Sequence, residues 1–479
     1  MINFPNHNTQ MLIDFEALLT ESIELSPETI DEAVKISTQI PNEQLQWQTY
    51  LNVLALGGFE EWLGTRATNL TLDREDCSVN EPATANAIAA VCNLKVNEFK
   101  LCLIATGSLT DEEVTVPRAV VDLPEFVAHF YVLVEVQEEQ DTAVVYGFLS
   151  YNQLVERLSR VNLEAEEDWT YQLPLSWFES NPNHLLLNLR CLEPTAIPLP
   201  TMVPNRQMAL SQMRSELEAL LPQLQSRDRH PWQVLTWEQG AAVLNSPELL
   251  NWLYQLQSQN VEPQSIVSVQ NHLADILQLL TQPALNARRW LSNQLDELAE
   301  ELSWVLLPTP SFEMRGEMRL LGEEFQVPTP SFAMRGEMRS EGIPLGLSPG
   351  EEFQGIVEQL KQQGVEIPVQ ARGAYRHLNL AGTSLQVYAV TWPMQSESID
   401  EWTLLLVLGG SPGISLPPGL QLRVSDQSSV LVEQVWDAGQ RDSYFFTSVI
   451  GTLDEKFIVT VSLTPSIKQT LPPFSFNPE

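Results

Sequence analysis

Apolar and polar positions change period several times along the chain, and each change marks an element. From Pro41 to Arg66 (PNEQLQWQTYLNVLALGGFEEWLGTR), Leu45, Tyr50, Leu51, Leu54 and Ala55 fall near one helical stripe, which Phe59, Trp62 and Leu63 resume after Gly57-Gly58. The pattern predicts a buried amphipathic helix broken at the glycines. Period two follows: NEFKLCLIATG (97–107), HFYVLVEVQEE (129–139) and DTAVVYGFLS (141–150) read as strands, the last two joined by a short hairpin turn at Glu139-Gln140-Asp141. Tyr151 to Arg160 returns to helix, and WTYQLPLSWF (169–178) and HLLLNLRCL (184–192) read as further strands. Residues 1–27 are polar and weakly patterned, so they are expected to be a loosely ordered arm, and 28–200 one α+β domain.

Residues 201–305 read as helical. Asn205 is positioned to cap a helix carrying Leu210, Met213, Leu217, Leu220 and Leu224, ended near Pro222. Thr236 with Gln239 makes a capping box, and Ser246-Pro247-Glu248 is a cap, first-turn proline and first-turn acid in order. Single-sided stripes over 264–280 and 284–304 (Ala287, Leu291, Leu295, Leu298, Leu302) predict two more helices. After residue 348 a short helix to about Gln363 gives way to strands at 384–392, 402–409, 419–425, 429–436, 444–449 and 456–463. Phe457, Val459, Val461 and Leu463 alternate, as do Leu420, Leu422 and Val424, so 348–465 is expected to be a short helix plus a small antiparallel β-sandwich. The tail is 466–479. The fold class expected is α+β, multi-domain.

Between these parts a module is written twice. PTPSFEMRGEMRLLGEEFQ starts at Pro308, and PTPSFAMRGEMRSEGIPLGLSPGEEFQ at Pro328. A packed core does not absorb a spare copy of itself, so 306–347 is expected to be a solvated, flexible linker. The linker displays two equal patches: Phe312, Met314, Arg315, Met318 and Arg319, and again Phe332, Met334, Arg335, Met338 and Arg339. Arginine and exposed aromatics are the residues most enriched at binding hot spots, and a doubled motif gains by avidity. Phe312, Met314, Arg315, Arg319, Phe332, Met334, Arg335 and Arg339 are therefore the candidate partner-docking residues.

The composition narrows the partners. Of 479 residues 62 are acidic and 26 basic, a net charge of −36, and only six of the basic residues are lysine. Such a surface repels polyanions, so nucleic acid and anionic membrane are expected to be poor direct partners, and a basic protein surface is attracted. The start of the chain lacks the basic and apolar regions of a secretory signal, and no run approaches a membrane span, which predicts a cytoplasmic protein.

Chemistry is sparse. Cys77, Cys92, Cys102 and Cys191 show no metal spacing and are expected to be structural thiols, with Cys77 the exposed one. His7, His129, His184, His230, His272 and His377 are scattered. Gly409-Gly410-Ser411-Pro412-Gly413 fits a nucleophile elbow in letters, but it leads into another strand, and the last histidine precedes the serine. The acidic runs at 164–168, 138–141 and Glu351-Glu352 lack calcium-loop spacing and are read as solvated faces. No nucleotide motif occurs, and no metal or cofactor is expected.

Four passages carry a resemblance: QLQWQTYLNVLALGGFEEWL, FYVLVEVQEEQDTAVVYGFLSYNQLVERL, YQLPLSWFESNPNHLLLNLRCLEP, and LPPGLQLRVSDQSSVLVEQVW with DEKFIVTVSL. They resemble the uncharacterised cyanobacterial family catalogued as domain of unknown function 1822. The resemblance implies a cyanobacterial source and the neighbourhood of signalling genes such as sigma factors and caspase-like proteases, and it supplies no site residues. The reading that follows is a non-enzymatic interaction, scaffold or adaptor protein. The alternatives are a substrate or adaptor of a caspase-like protease cleaved in the linker, and a hydrolase whose residues converge only in space.

Overall fold

The computed structural model describes residues 22–476 apart from 110–111, 202–205, 259–262, 309–333, 340–348, 363, 396–399, 411–415, 437–441 and 465–466. It contains helices and several sheets in two compact units, Met1–Val269 and Gln270–Glu479.

In the first unit a six-stranded sheet runs β1 (Ile23–Glu24), β7 (Thr142–Ser150), β6 (Phe130–Gln137), β4 (Phe99–Thr106), β3 (Val91–Val96), β2 (Leu72–Asp73). Only the β4–β6 pair is parallel. The hairpin between β6 and β7 closes where Asp141 adopts the left-handed conformation with φ 50°. Helix α1 (Pro27–Ser37) packs beside α2 (Glu43–Arg66), and α2 lies on the sheet. Leu51, Leu54, Phe59, Trp62 and Leu63 of α2 share one core with Leu101, Leu103, Phe130, Val132 and Val134.

Helix α2 runs unbroken through Gly57 and Gly58, contrary to the break expected there. The glycines are places of close approach: a Cβ on Gly57 would stand 2.3 Å from Thr29 Cγ2, and one on Gly58 2.5 Å from the Ala143 Cβ. Tertiary packing outweighs the roughly 1 kcal/mol cost of each glycine in a helix.

Residues 184–192 also depart from expectation. They belong to a helix, α4 (Pro182–Cys191), because Asn181 caps it, Pro182 fits its first turn, and Leu185, Leu186 and Leu189 are buried together. Further along, α5 (Arg206–Leu220), α6 (Trp237–Leu244), α7 (Pro247–Ser258) and α8 (Pro263–Thr281) follow the helical stripes, and the Thr236–Gln239 capping box is formed. Asn205 lies outside the described residues.

In the second unit the stretch 284–304 is not one helix. It divides into β9 (Leu285–Asn286), α9 (Ala287–Trp290) and α10 (Glu297–Glu301), and the left-handed residues Asn293 and Ser303 interrupt the helical path. One sheet has the order β10 (Val305–Leu306), β12 (Arg372–Leu380), β13 (Thr383–Gln395), β14 (Asp400–Gly410), β17 (Asp442–Thr452), β11 (Met334–Arg339), all antiparallel. The other runs β16 (Val430–Val435), β15 (Gln421–Ser425), β18 (Lys456–Thr464), β20 (Phe474–Ser475), β9, with β19 (Ile467–Thr470) also on β18.

Alternation assigns the two faces of the first sheet. Val387, Ala389, Leu404, Leu406, Phe445 and Val449 share a core with Leu422, Val424, Val459 and Val461 of the other sheet. Tyr388, Val390, Leu405, Val407, Tyr444 and Phe446 share a second core with Phe353, Ile356 and Leu360 of α11 (Pro349–Gln362). Strands buried on both faces explain the near-continuous apolar run LLLVL. The expected tail is part of the fold: Phe474 packs edge-on to Trp290 and Trp304, and Phe476 stacks on Trp402. The interval 306–347, expected as a bare linker, includes a strand, β11.

Two substitutions in α2 separate propensity from packing. Gly64 has nothing within 4 Å of an added Cβ, so Gly64→Ala is expected to stabilise by about 1 kcal/mol. Gly58→Ala overpacks against Ala143 and is expected to destabilise by about 1–3 kcal/mol. Urea midpoints of the two variants check both signs.

Candidate partner-docking site

The second copy of the repeat is built into the second unit at two points. Its MRGEMR forms β11, antiparallel to β17 with Met334 opposite Ser448, Gly336 opposite Phe446 and Met338 opposite Tyr444. Its GEEFQ, residues 350–354, opens α11.

Glu352 fixes that helix. Its carboxylate, only 4% exposed, accepts a hydrogen bond from the Tyr388 hydroxyl at 3.1 Å and another from the Tyr444 hydroxyl. Phe353 stacks on Tyr388 with ring centroids 5.3 Å apart. One carboxylate thereby ties the first turn of α11 to β13 and to β17, the strand on which β11 lies. Glu352 is thus a buried anchor and not the solvated face expected of Glu351-Glu352. The clue in the sequence is spacing: Glu352, Ile356 and Leu360 are four residues apart and fall on one helix face.

Beyond β11 the sheet has no further strand among the described residues. An edge strand presents a row of free N–H and C=O groups, which is a template for pairing with another chain. Of the candidate docking residues, Met334, Arg335 and Arg339 fall on this strand. Phe312, Met314, Arg315, Arg319 and Phe332 lie outside the described residues, as does Ser411 of the elbow-like sequence.

A second buried polar group links α8 to β15. Asp275 accepts hydrogen bonds from the Arg423 guanidinium and from the Ser425 hydroxyl, both at 2.9 Å. His272 is buried beside them, and its burial lowers its pKa, opposed by Asp275 and Asp426. A serine, a histidine and an acid do converge here, but the hydroxyl donates to the carboxylate and not to the imidazole, and Ser425 is fully buried. Nucleophilic catalysis needs the histidine between them and an open path to substrate. The arrangement is that of an ion pair held in the core.

The cysteines are placed differently from expectation. Cys77, Cys92 and Cys102 are buried and Cys191 is exposed at the end of α4. Burial pushes the Cys77 thiol up to about 11 and Cys92 up to about 12, so neither supplies a thiolate at neutral pH. The acidic neighbours of Cys77 in sequence suggested a solvated loop, whereas its side chain packs into the core under α2. No group of three or more potential metal-ligating side chains is found among the described residues.

In the first unit an open groove of about 940 Å³ is lined by Glu24, Glu28, Glu32, Glu60, Glu61 and Arg74, among others. Its acidic walls follow the charge of the whole chain, and Arg74 is held there by Glu32 and Glu60.

The fold defines an α+β protein of two compact units, in one of which β11 is an edge strand among the described residues. The model of the family described as protein of unknown function (DUF1822) matches residues 23–472, and the chain belongs to that family. No curated protein and no solved structure matches it. No helix among the described residues is long and apolar enough to cross a membrane.

Two outcomes follow from the buried groups. Burial, followed by the Glu352 carboxylate, raises both tyrosine pKa values well above their usual value near 10. Their contribution to stability is therefore complete below about pH 10 and is lost as the pH rises beyond it, because the unfolded tyrosines then ionise and the folded ones do not. Unfolding midpoints measured across that range should fall less steeply in Tyr388→Phe and Tyr444→Phe, and Glu352→Gln should cost about 1–3 kcal/mol at neutral pH. Independently, a maleimide added to the native chain should label Cys191, with Cys77, Cys92 and Cys102 reacting only after unfolding.

Proposed function

We propose that this chain is a non-enzymatic interaction protein that recruits another protein chain at the β11 edge. The observation that carries the reading is that Met334–Arg339, one of two identical hexapeptides, forms an edge strand of its sheet among the described residues. Strand addition there supplies main-chain hydrogen bonds, and the arginines and glutamate of the motif supply selectivity. The two sheets with a shared core support a β-sandwich as the carrier of this edge. The role that goes with this edge is that of a cytoplasmic adaptor in a cyanobacterial signalling assembly, with recognition set by the strand and its own charges and not by the net charge of −36.

The test uses the full chain as bait in an extract of the native cell. A chain with 334–339 replaced by glycine and serine should lose the captured partner. Replacement of 314–319 should retain it. Equal capture by the wild type and the 334–339 replacement would overturn the reading.

A further inference from the structure

We infer that the occupant of the β11 edge is a second copy of this chain, the two β11 strands pairing antiparallel about a two-fold axis at Gly336. This rests on the reading of β11 as a docking edge and names what docks there.

The hexapeptide MRGEMR is complementary to itself in an antiparallel register centred on Gly336. Centred on Gly336, position 335 stands opposite 337 of the other strand and 334 opposite 338, so arginine faces glutamate twice and methionine faces methionine twice. Moving the centre to Arg335 or Glu337 sets arginine against arginine or glutamate against glutamate. Centres between residues leave the charges without an opposite partner, and a centre at Met338 opposes Glu337 to Arg339 but overlaps three residues of the hexapeptide against five. Opposite charges directly across an antiparallel pair stabilise it and like charges destabilise it. A contact in which each molecule offers the same patch closes as a two-fold dimer.

The obvious rival within one molecule is the first MRGEMR, residues 314–319, and the sheet itself excludes it. Cross-strand partners run Leu306, Ala374, Ala389, Leu406, Thr447, Arg335, so β10 and β11 stand at one level on opposite edges. The chain stays in place beyond β10: Leu307 donates to the Gly373 carbonyl at 2.9 Å, and Pro308 packs against Gly350, where an added Cβ would stand 2.4 Å from its Cγ. The six steps from Pro308 to Met314 reach about 20–22 Å when fully extended. The outer side of β11 is six strand spacings from β10, about 29 Å, and the place of β11 itself five, about 24 Å. The first copy can neither add to the edge of its own molecule nor replace β11 in it. Another molecule meets no such limit of reach.

Sedimentation velocity on the full chain at physiological ionic strength, where the net charge is screened, tests the assignment. The wild type should dimerise in the micromolar range. R335E and E337R should each weaken the dimer roughly tenfold, since each breaks two opposed pairs by symmetry. The double variant R335E/E337R should restore it, which also shows that the strand still forms, and R315E/E317R should leave it unchanged. A monomeric wild type, a dimer indifferent to R335E and E337R, or a dimer weakened by R315E would each overturn the inference. The docking reading fails separately: a monomer that still loses its captured partner when 334–339 is replaced keeps that reading and removes this one.

Discussion

The bond between the Glu352 carboxylate and two tyrosine hydroxyls is the constraint on which the second unit depends. An ionised carboxylate taken out of water costs several kcal/mol unless donors replace the lost hydration. Here both oxygens are engaged, one by each tyrosine, and those tyrosines come from strands on either side of β14. The helix that carries Glu352 is short and would be marginal alone. Pinned at its first turn, it lays Phe353, Ile356 and Leu360 over one face of the sheet while the second sheet covers the other. Nine residues connect Arg339 to α11, so the anchored helix also limits where β11 can lie.

The duplication acquires a direction from this geometry. GEEFQ at 350–354 meets the two tyrosines and becomes a helix start, and MRGEMR at 334–339 meets the free side of β17 and becomes a strand. Each acceptor site exists once in a molecule and is filled by the second copy. Beyond Pro308 the first copy lies outside the described residues.

Much of the strand pattern was legible because it rests on local rules. The β6–β7 hairpin, the six strands between 384 and 463 and the Thr236 capping box all follow from alternation, turn residues and cap chemistry. What escaped depended on contacts remote in sequence. Helix α2 continues through two glycines because Thr29 and Ala143 need the space. Strand β12 was hidden because Arg372, Arg376 and His377 spoil its alternation, and its place comes from nine residues paired with β13. The end of the chain looked like a tail until Trp290, Trp304 and Trp402 supplied partners for Phe474 and Phe476. Of the docking residues, the sequence marked the repeat but not the strand, since six residues with two arginines, a glutamate and a glycine carry no β signal of their own.

That same composition bears on why an open edge is tolerable. A long apolar edge strand recruits any passing chain, and proteins blunt such edges with charge. In β11 two arginines and one glutamate do so in a chain that is otherwise strongly acidic. Charges on an edge do not forbid pairing; they restrict it to partners and registers in which opposite signs meet. A strand with glutamate two residues after arginine and glycine between them accepts its own sequence with the longest overlap in the register centred on that glycine. It rejects the neighbouring registers by like-charge contact or by charges left without an opposite partner. The edge is therefore protected against indiscriminate association by the side chains that would make one association specific.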